Sequence, residues 1–147
     1  MRGTMTLRIF PVLLIAVIIY NVLAVTNGFA GNEAMQSFLA REHMTFHMFS
    51  GDAWDFSLGD FVLSAGFVCL FVEILKATRT TRRELIHHGL AVLVFVIALV
   101  EFIVVKGFST SVFFFLVVMT AFDVVAGYTI SIVAAEHDLG VGRPGKD

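Results

Sequence analysis

The chain has little cysteine, little charge and none of the common catalytic motifs. Cys69 is the one cysteine among 147 residues, so neither an intrachain disulfide nor a CxxC redox motif is available. Charged residues make up 15% of the sequence and the net charge is −2, which is too near neutral for a nucleic-acid-binding protein. HExxH motifs, Gly-rich phosphate loops and nucleophile elbows are absent from the sequence. We therefore expect no enzymatic activity, no cofactor and no nucleic-acid partner.

Hydrophobic residues, in contrast, make up 58% of the chain, well above the proportion in soluble domains. They are concentrated in four stretches, near residues 9–27, 58–77, 84–105 and 111–135. Each stretch is close to the length of about 20 residues that a transmembrane helix requires. None alternates polar and apolar residues as the strands of a membrane barrel do. The sequence therefore predicts an all-α, polytopic protein of the lipid bilayer, an antiparallel bundle of four transmembrane helices.

Lysine and arginine are unevenly distributed between the predicted loops. The two tails and the segment between the second and third spans hold eight of the ten, whereas the other side holds Arg41 and Lys106. Because positive residues favour the cytoplasmic side of a membrane, both termini are predicted to be cytoplasmic. Glu73 and Lys76 end the second span, and a short basic loop and a third apolar span follow. This layout resembles small four-helix proteins of the bacterial inner membrane, which is the localisation we expect.

The first span has an alternative interpretation. Residues 1–30 combine a basic start, an apolar run and the small-x-small pattern Gly28-Phe29-Ala30, as signal peptides do. The apolar run is longer than a usual signal-peptide core, however, and it contains Tyr20 and Asn21. We therefore expect the first span to be retained.

The longest predicted loop, residues 28–57, contains an amphipathic segment between residues 32 and 49. At helical spacing its apolar residues fall within one arc, which contains Met35, Phe38, Leu39, Phe46 and Phe49. This pattern predicts a helix over residues 32–49 that lies in the membrane interface with its phenylalanines toward lipid.

Several carboxylates lie within the predicted spans, where a charged group is costly. Asp60 has a structural explanation, because Ser57 lies three residues earlier and the two match a helix capping box. Glu73 has Lys76 three residues further on, within side-chain reach. It also continues a face marked by two glycines at seven-residue spacing, where a neighbouring helix would approach closely. A boundary role and an interior role therefore both remain open for Glu73.

Glu101 and Asp123 lie deeper in their spans. Glu101 continues a stripe on the third span that contains His87, Ala91, Val94 and Ala98. Asp123 lies near the middle of the fourth span, on a small and polar stripe with Thr120, Gly127 and Ser131. Because Asp123 has no charged neighbour on its own helix, it needs a proton or a partner, and Asn21 lies at nearly the same depth. Asp123 is therefore either a titrating site or part of a hydrogen-bonded knot between the first and fourth spans.

His43 and His47 lie four residues apart, and each is followed by a methionine. On a helix they would share one face, and imidazole together with thioether suits copper. Two histidines without a third certain ligand are also typical of an ordinary exposed surface. A metal site at His43 and His47 is therefore one of two open interpretations.

Sorted by depth, the protonatable groups form a series across the membrane, which is what a proton relay needs. We therefore expect a small oligomeric component of proton- or cation-linked conduction or transport. Its intramembrane site is predicted to contain Asp123, Glu101, Glu73, His87 and Asn21. The main alternative is a non-catalytic accessory or assembly subunit of a larger membrane complex, which would bind its partners through its polar stripes. A periplasmic copper-binding membrane protein is the second alternative.

The predicted topology can be tested with fusion reporters. A reporter placed after Asp147 should report the cytoplasm, and one inserted near Gly51 should report the periplasm, because an even number of spans puts both termini on the basic side. A C-terminal reporter active in the periplasm would contradict the arrangement with four spans.

Overall fold

The computed structural model describes residues 10–77 and 84–141, with side chains except at 84–86, 130, 131 and 133–141. This part of the chain is mostly helical and contains five helices and one two-stranded sheet. In chain order the elements are α1 (Leu13–Thr26), α2 (Asn32–Leu39), β1 (Glu42–His47), β2 (Ala53–Ser57), α3 (Leu58–Ala77), α4 (Glu84–Val104) and α5 (Ser111–Val141).

Three of these helices, α3, α4 and α5, are long and apolar enough to cross a membrane. The chain is therefore a multi-pass membrane protein by the length and composition of its helices. The first predicted span corresponds to α1, which has 14 residues and is about 21 Å long, against a hydrocarbon core of about 30 Å. Residue 9, the predicted start of that span, lies outside the part of the chain that the structure describes.

The predicted interfacial helix over residues 32–49 is wrong in its second half. A helix does begin at Asn32, but it ends at Leu39, and β1 and β2 then form an antiparallel hairpin. The physical reason is the residue pattern after Arg41, in which apolar Met44 and Phe46 alternate with polar neighbours at the period of a strand. The helical part also differs from expectation, since α2 buries Met35 and Leu39 against the protein.

The helices pack around α5, which lies against both α3 and α4, while α1 lies mainly against α3. Two glycines allow α3 and α5 to approach closely. A Cβ added at Gly66 would lie 2.8 Å from Leu116 Cδ2 and 2.9 Å from Met119 Sδ, and one added at Gly59 would lie 3.1 Å from Val112. The order of these contacts along the chain shows that α3 and α5 run parallel to each other, with Gly59 next to Val112. The glycine face predicted for helix contact is therefore used inside the chain.

Tyr20 connects α1 to the turn between α4 and α5. Its hydroxyl donates to the carbonyl of Gly107 at 2.8 Å and lies 2.7 Å from Thr110 Oγ1. Its ring packs between Phe108 and Phe113, with centroids at 5.2 and 4.6 Å. Because Tyr20 is fully buried, these bonds satisfy a phenol that would otherwise be costly inside the bundle.

The capping box predicted at the start of α3 is confirmed. The Ser57 backbone N–H donates to Asp60 Oδ2 at 2.9 Å, and the Asp60 backbone N–H donates to Ser57 Oγ at 3.2 Å. The Ser57 hydroxyl also donates to the same carboxylate oxygen at 2.6 Å. Asp60 therefore caps α3, which joins directly to the hairpin.

Replacing Tyr20 by Phe should lower the free energy of unfolding by about 1 kcal/mol, the usual size of a polar contact between membrane helices. The matched control is Tyr128→Phe, because Tyr128 is the other tyrosine of the chain and is half exposed. Thermal unfolding of both variants in the same lipid discs measures the difference. Equal melting temperatures for the two variants would contradict the stabilising role of the Tyr20 hydroxyl.

Candidate functional site

Glu73 lies one turn before the end of α3 and is the most deeply buried acid in the described part of the chain, with 1% of its surface exposed. One carboxylate oxygen, Oε1, accepts a hydrogen bond from the backbone N–H of Val12. Val12 directly precedes α1, where backbone N–H groups have no partner within the helix. Glu73 is therefore buried against a neighbouring element, as its interior interpretation required, although it lies close to the end of α3.

The second oxygen of Glu73, Oε2, faces two nitrogen atoms. Lys76 Nζ lies 3.0 Å away and His87 Nε2 lies 3.2 Å away, and these two nitrogens are themselves 3.2 Å apart. Both distances are those of ion pairs, so the two bases share the charge of one buried carboxylate oxygen. Lys76 also donates to the carbonyl of Phe10 at 2.9 Å. We call this triangle of Glu73, Lys76 and His87 the basic-end cluster.

Within the basic-end cluster, Glu73 and Lys76 are alternative hydrogen-bond partners for one atom, His87 Nε2. If His87 Nε2 carries a proton, it can donate to Glu73, and if it does not, it can accept from Lys76. It cannot do both, because each imidazole nitrogen is either a donor or an acceptor. The contacts of His87 therefore depend on its protonation state.

Asp123 lies beside this cluster, within electrostatic range of Glu73, His87 and Lys76. It is 7% exposed, and Thr120 and Gly127 on the same face of α5 are also buried. The stripe predicted to face protein does so at these three positions, and the side chain of Ser131 lies outside the description. Two acids from two helices and two bases thus occupy one region of the bundle.

His88 packs next to this region on α4. Its ring stacks on Tyr128 of α5 with centroids 5.8 Å apart, and it occupies the space that Gly127 leaves empty. A Cβ added at Gly127 would lie 2.5 Å from His88 Nδ1, so the glycine makes room for the imidazole. His88 therefore brings a second imidazole to within one helical turn of the level of Asp123.

Comparisons of the chain with protein-family models, curated proteins and solved structures found no match. The function must therefore be argued from the site itself.

Glu101 lies apart from the basic-end cluster. Its Oε2 accepts a hydrogen bond from Asn21 Nδ2 at 3.1 Å, and the same amide donates to the carbonyl of Val17 at 3.1 Å. The predicted partnership of Asn21 with Asp123 is wrong, because α1 presents Asn21 to α4 rather than to α5. The stripe on α4 that leads to Glu101 does face the protein, since Ala91, Val94 and Ala98 are buried.

A packed apolar layer separates Glu101 from Asp123. His88 and Gly127 define one level, and Glu101 lies 13 residues from His88, or about 20 Å along α4. Asp123 lies four residues from Gly127 in the same direction, or about 6 Å, which leaves about 14 Å between the two acids. Buried side chains fill this interval, among them Val94, Ala98, Leu116, Val117 and Met119. Among the described residues, Glu101 and the region of Asp123 therefore form two polar groups separated by about 14 Å along the helices.

The structure does not bring His43 and His47 together. Both lie on β1, where four residues span about 13 Å, too far for one metal ion to bind both. Within the described ranges no three His, Cys, Asp or Glu side chains are grouped as metal ligands would be. The copper hypothesis depended on a helix that is not there.

Sequence reasoning paired Lys76 with Glu73 but left Lys76 and His88 out of the predicted intramembrane site, and it offered Asn21 as a partner of Asp123 rather than of Glu101. The antiparallel pairing of α4 and α5 across a short turn was itself predictable, and it places residue 88 opposite residue 127. Gly127, one turn from Asp123, therefore indicated that a large side chain of α4 packs against α5 at that level.

Glu73→Gln should lower the free energy of unfolding by about 2 kcal/mol, because Lys76 and His87 lose their carboxylate in a buried setting. Glu101→Gln is the matched control, since the amide oxygen still accepts the Asn21 hydrogen bond and little stability should be lost. Denaturant unfolding in one lipid or detergent system compares the two variants. Similar losses for both would show that the charge of Glu73 does not hold the basic-end cluster.

Proposed function

We propose that the protein is a small membrane component of proton-linked transport, and that the basic-end cluster together with Asp123 binds the proton. The observation that supports this function is the position of His87 Nε2, 3.2 Å from both a buried carboxylate oxygen and a lysine nitrogen. A proton gained or lost at that nitrogen changes its partner. Such a change of partner is what couples protonation to helix movement.

Partial exposure of the cluster supports exchange with water. Lys76 and His87 retain 24% and 14% of their side-chain surface, whereas the Glu73 side chain retains none. A proton can therefore enter through His87 and reach the carboxylates behind it. By the distribution of lysine and arginine, this end of the bundle faces the cytoplasm, and we infer a bacterial inner membrane with both termini on that side.

The apolar layer between Asp123 and Glu101 is an obstacle to proton transport through the bundle. About 14 Å of packed side chains is too far for a direct proton transfer, so transport requires a rearrangement that admits water, or a path between copies of the chain. In this proposal Glu101 and Asn21 form the polar group on the far side of that layer. We propose a homo-oligomer because it would supply such a path between copies of the chain.

The same layer favours one other function. A chain that has no path through its own bundle, and whose buried acid already has Lys76 and His87 as partners, also suits a non-catalytic accessory subunit of a larger membrane complex. In that case the role of the basic-end cluster is structural, because it holds the start of α1 against α3. Flux measurements distinguish these two functions.

Asp123→Asn separates them most directly. In liposomes that contain a trapped pH-sensitive dye, the wild-type protein should carry a pH-dependent proton flux and the variant should carry none. The melting temperature should stay unchanged, because the amide fills the same volume and can still form hydrogen bonds.

The matched control is Asp55→Asn, which makes the same chemical change on the exposed hairpin and should leave the flux intact. If wild-type liposomes show no flux of protons or alkali cations at any pH, the transport proposal fails and the accessory function replaces it.

A further inference from the structure

The hairpin of β1 and β2 has two chemically different faces. On one face, Phe46 lies directly across from Trp54, and Met44 lies across from Phe56. The three aromatic rings contact one another, with centroids 5.8 Å apart for Phe46 and Trp54 and 5.5 Å apart for Trp54 and Phe56. We call this surface, formed by Met44, Phe46, Trp54 and Phe56, the aromatic face.

The opposite face of the hairpin is polar. Thr45 Oγ1 donates to Asp55 Oδ1 across the strands at 2.7 Å, and His47 lies across from Ala53. Ser50 donates to Asp52 at 3.0 Å in the turn, where Gly51 has a positive φ of 92° that suits glycine. The two faces therefore differ in the environment that each favours.

In the described part of the chain nothing covers the aromatic face. Phe46 and Trp54 are 44% and 49% exposed, and Phe49 at the tip is exposed completely. A two-stranded hairpin alone is marginally stable in water, and it gains stability when its apolar face packs on another surface. The aromatic face would therefore gain stability from an occupant that the described residues do not supply.

The position of the hairpin identifies that occupant. β2 ends at Ser57 and α3 begins at Leu58 with no intervening residue, and the Leu58 N–H donates to the Arg41 carbonyl at 3.1 Å. Trp54 therefore lies within about 13 Å of the first residue of α3, so the hairpin can reach the headgroup layer that surrounds the end of a membrane-spanning helix. Tryptophan is enriched at that depth because indole is apolar in its body and polar at its N–H. The outer surface of α3 is apolar from its first turn, where Phe61 is half exposed.

We propose that the aromatic face is a lipid-binding surface, which inserts into the headgroup layer next to the start of α3 and anchors that end of the bundle. Its polar face, with Thr45 and Asp55, remains toward water. Phe49 extends the apolar surface to the tip of the hairpin. This surface is spatially separate from the proton site, because Glu73 lies near the other end of α3.

The chain contains one tryptophan, so Trp54 fluorescence reports on the hairpin alone. The full-length protein is placed in lipid discs that hold a single copy. Lipids brominated near the glycerol end of the acyl chain should quench Trp54 more strongly than lipids brominated near the methyl end. Aqueous iodide should quench it only weakly. Strong iodide quenching with no effect of either lipid would overturn the proposal.

Variants on the two faces supply a matched comparison. Phe46→Asn should raise iodide quenching roughly twofold, because the aromatic face loses its central ring and leaves the interface. Thr45→Asn changes the neighbouring residue on the polar face and should leave quenching as in the wild type. Equal changes in iodide quenching for the two variants would contradict a specific role for the aromatic face.

Phe49→Ser provides a test that does not depend on hairpin folding, because the Phe49 side chain is completely exposed among the described residues. Bromolipid quenching should fall in this variant while the hairpin stays intact, and unchanged quenching would count against insertion. A second copy of the chain is the rival occupant. If Trp54 becomes protected from iodide only in discs that hold two copies, and never responds to brominated lipid, the face binds protein and the lipid proposal is wrong.

Discussion

The structure depends on the burial of one charge, the carboxylate of Glu73. A carboxylate removed from water in a bundle of this kind costs several kcal/mol unless it is paired or protonated. The cost is offset from three directions, by the Val12 N–H, by Lys76 and by His87. Since these groups come from the start of α1, the end of α3 and the start of α4, the carboxylate determines how the basic ends of three helices meet. Asp123 then adds a second acid beside Glu73, whose own charge is already offset by these three groups.

That arrangement explains why the cluster suits both a structural and a proton-binding role. Glu73 Oε2 lies 3.0 Å from Lys76 Nζ and 3.2 Å from His87 Nε2, so either base can compensate its charge. The transport proposal depends on the change of partner at His87 Nε2, and the accessory proposal depends only on the packing.

Much of the helical part of the fold follows from local rules that the sequence displays directly. Long apolar runs predict the membrane helices, and Ser57 with Asp60 predicts the start of α3, because each rule involves only neighbouring residues. The hairpin was missed because Met35, Phe38, Phe46 and Phe49 happen to fall within one helical arc, while the alternation that favours strands covers only a few residues. Contacts between helices were harder still. Asn21 bonds to Glu101 rather than to Asp123 because of the rotation of α1 about its axis and the helix that it lies against. Neither of these can be deduced from the residues adjacent to Asn21 in the sequence.

The uninterrupted course of α3 has a mechanical consequence. This helix carries the hairpin at its first residue and the buried carboxylate on its last full turn, and no break separates them. It therefore acts as a lever about 30 Å long, and a tilt of about 10° around its middle would move the hairpin end by about 2.5 Å and Glu73, about 8 Å from the middle, by about 1.4 Å. Added to the separation of 3.2 Å between Glu73 and His87, a displacement of that size would exceed hydrogen-bonding distance. Forces on the hairpin at one surface of the membrane would then be felt at the ion pair near the other.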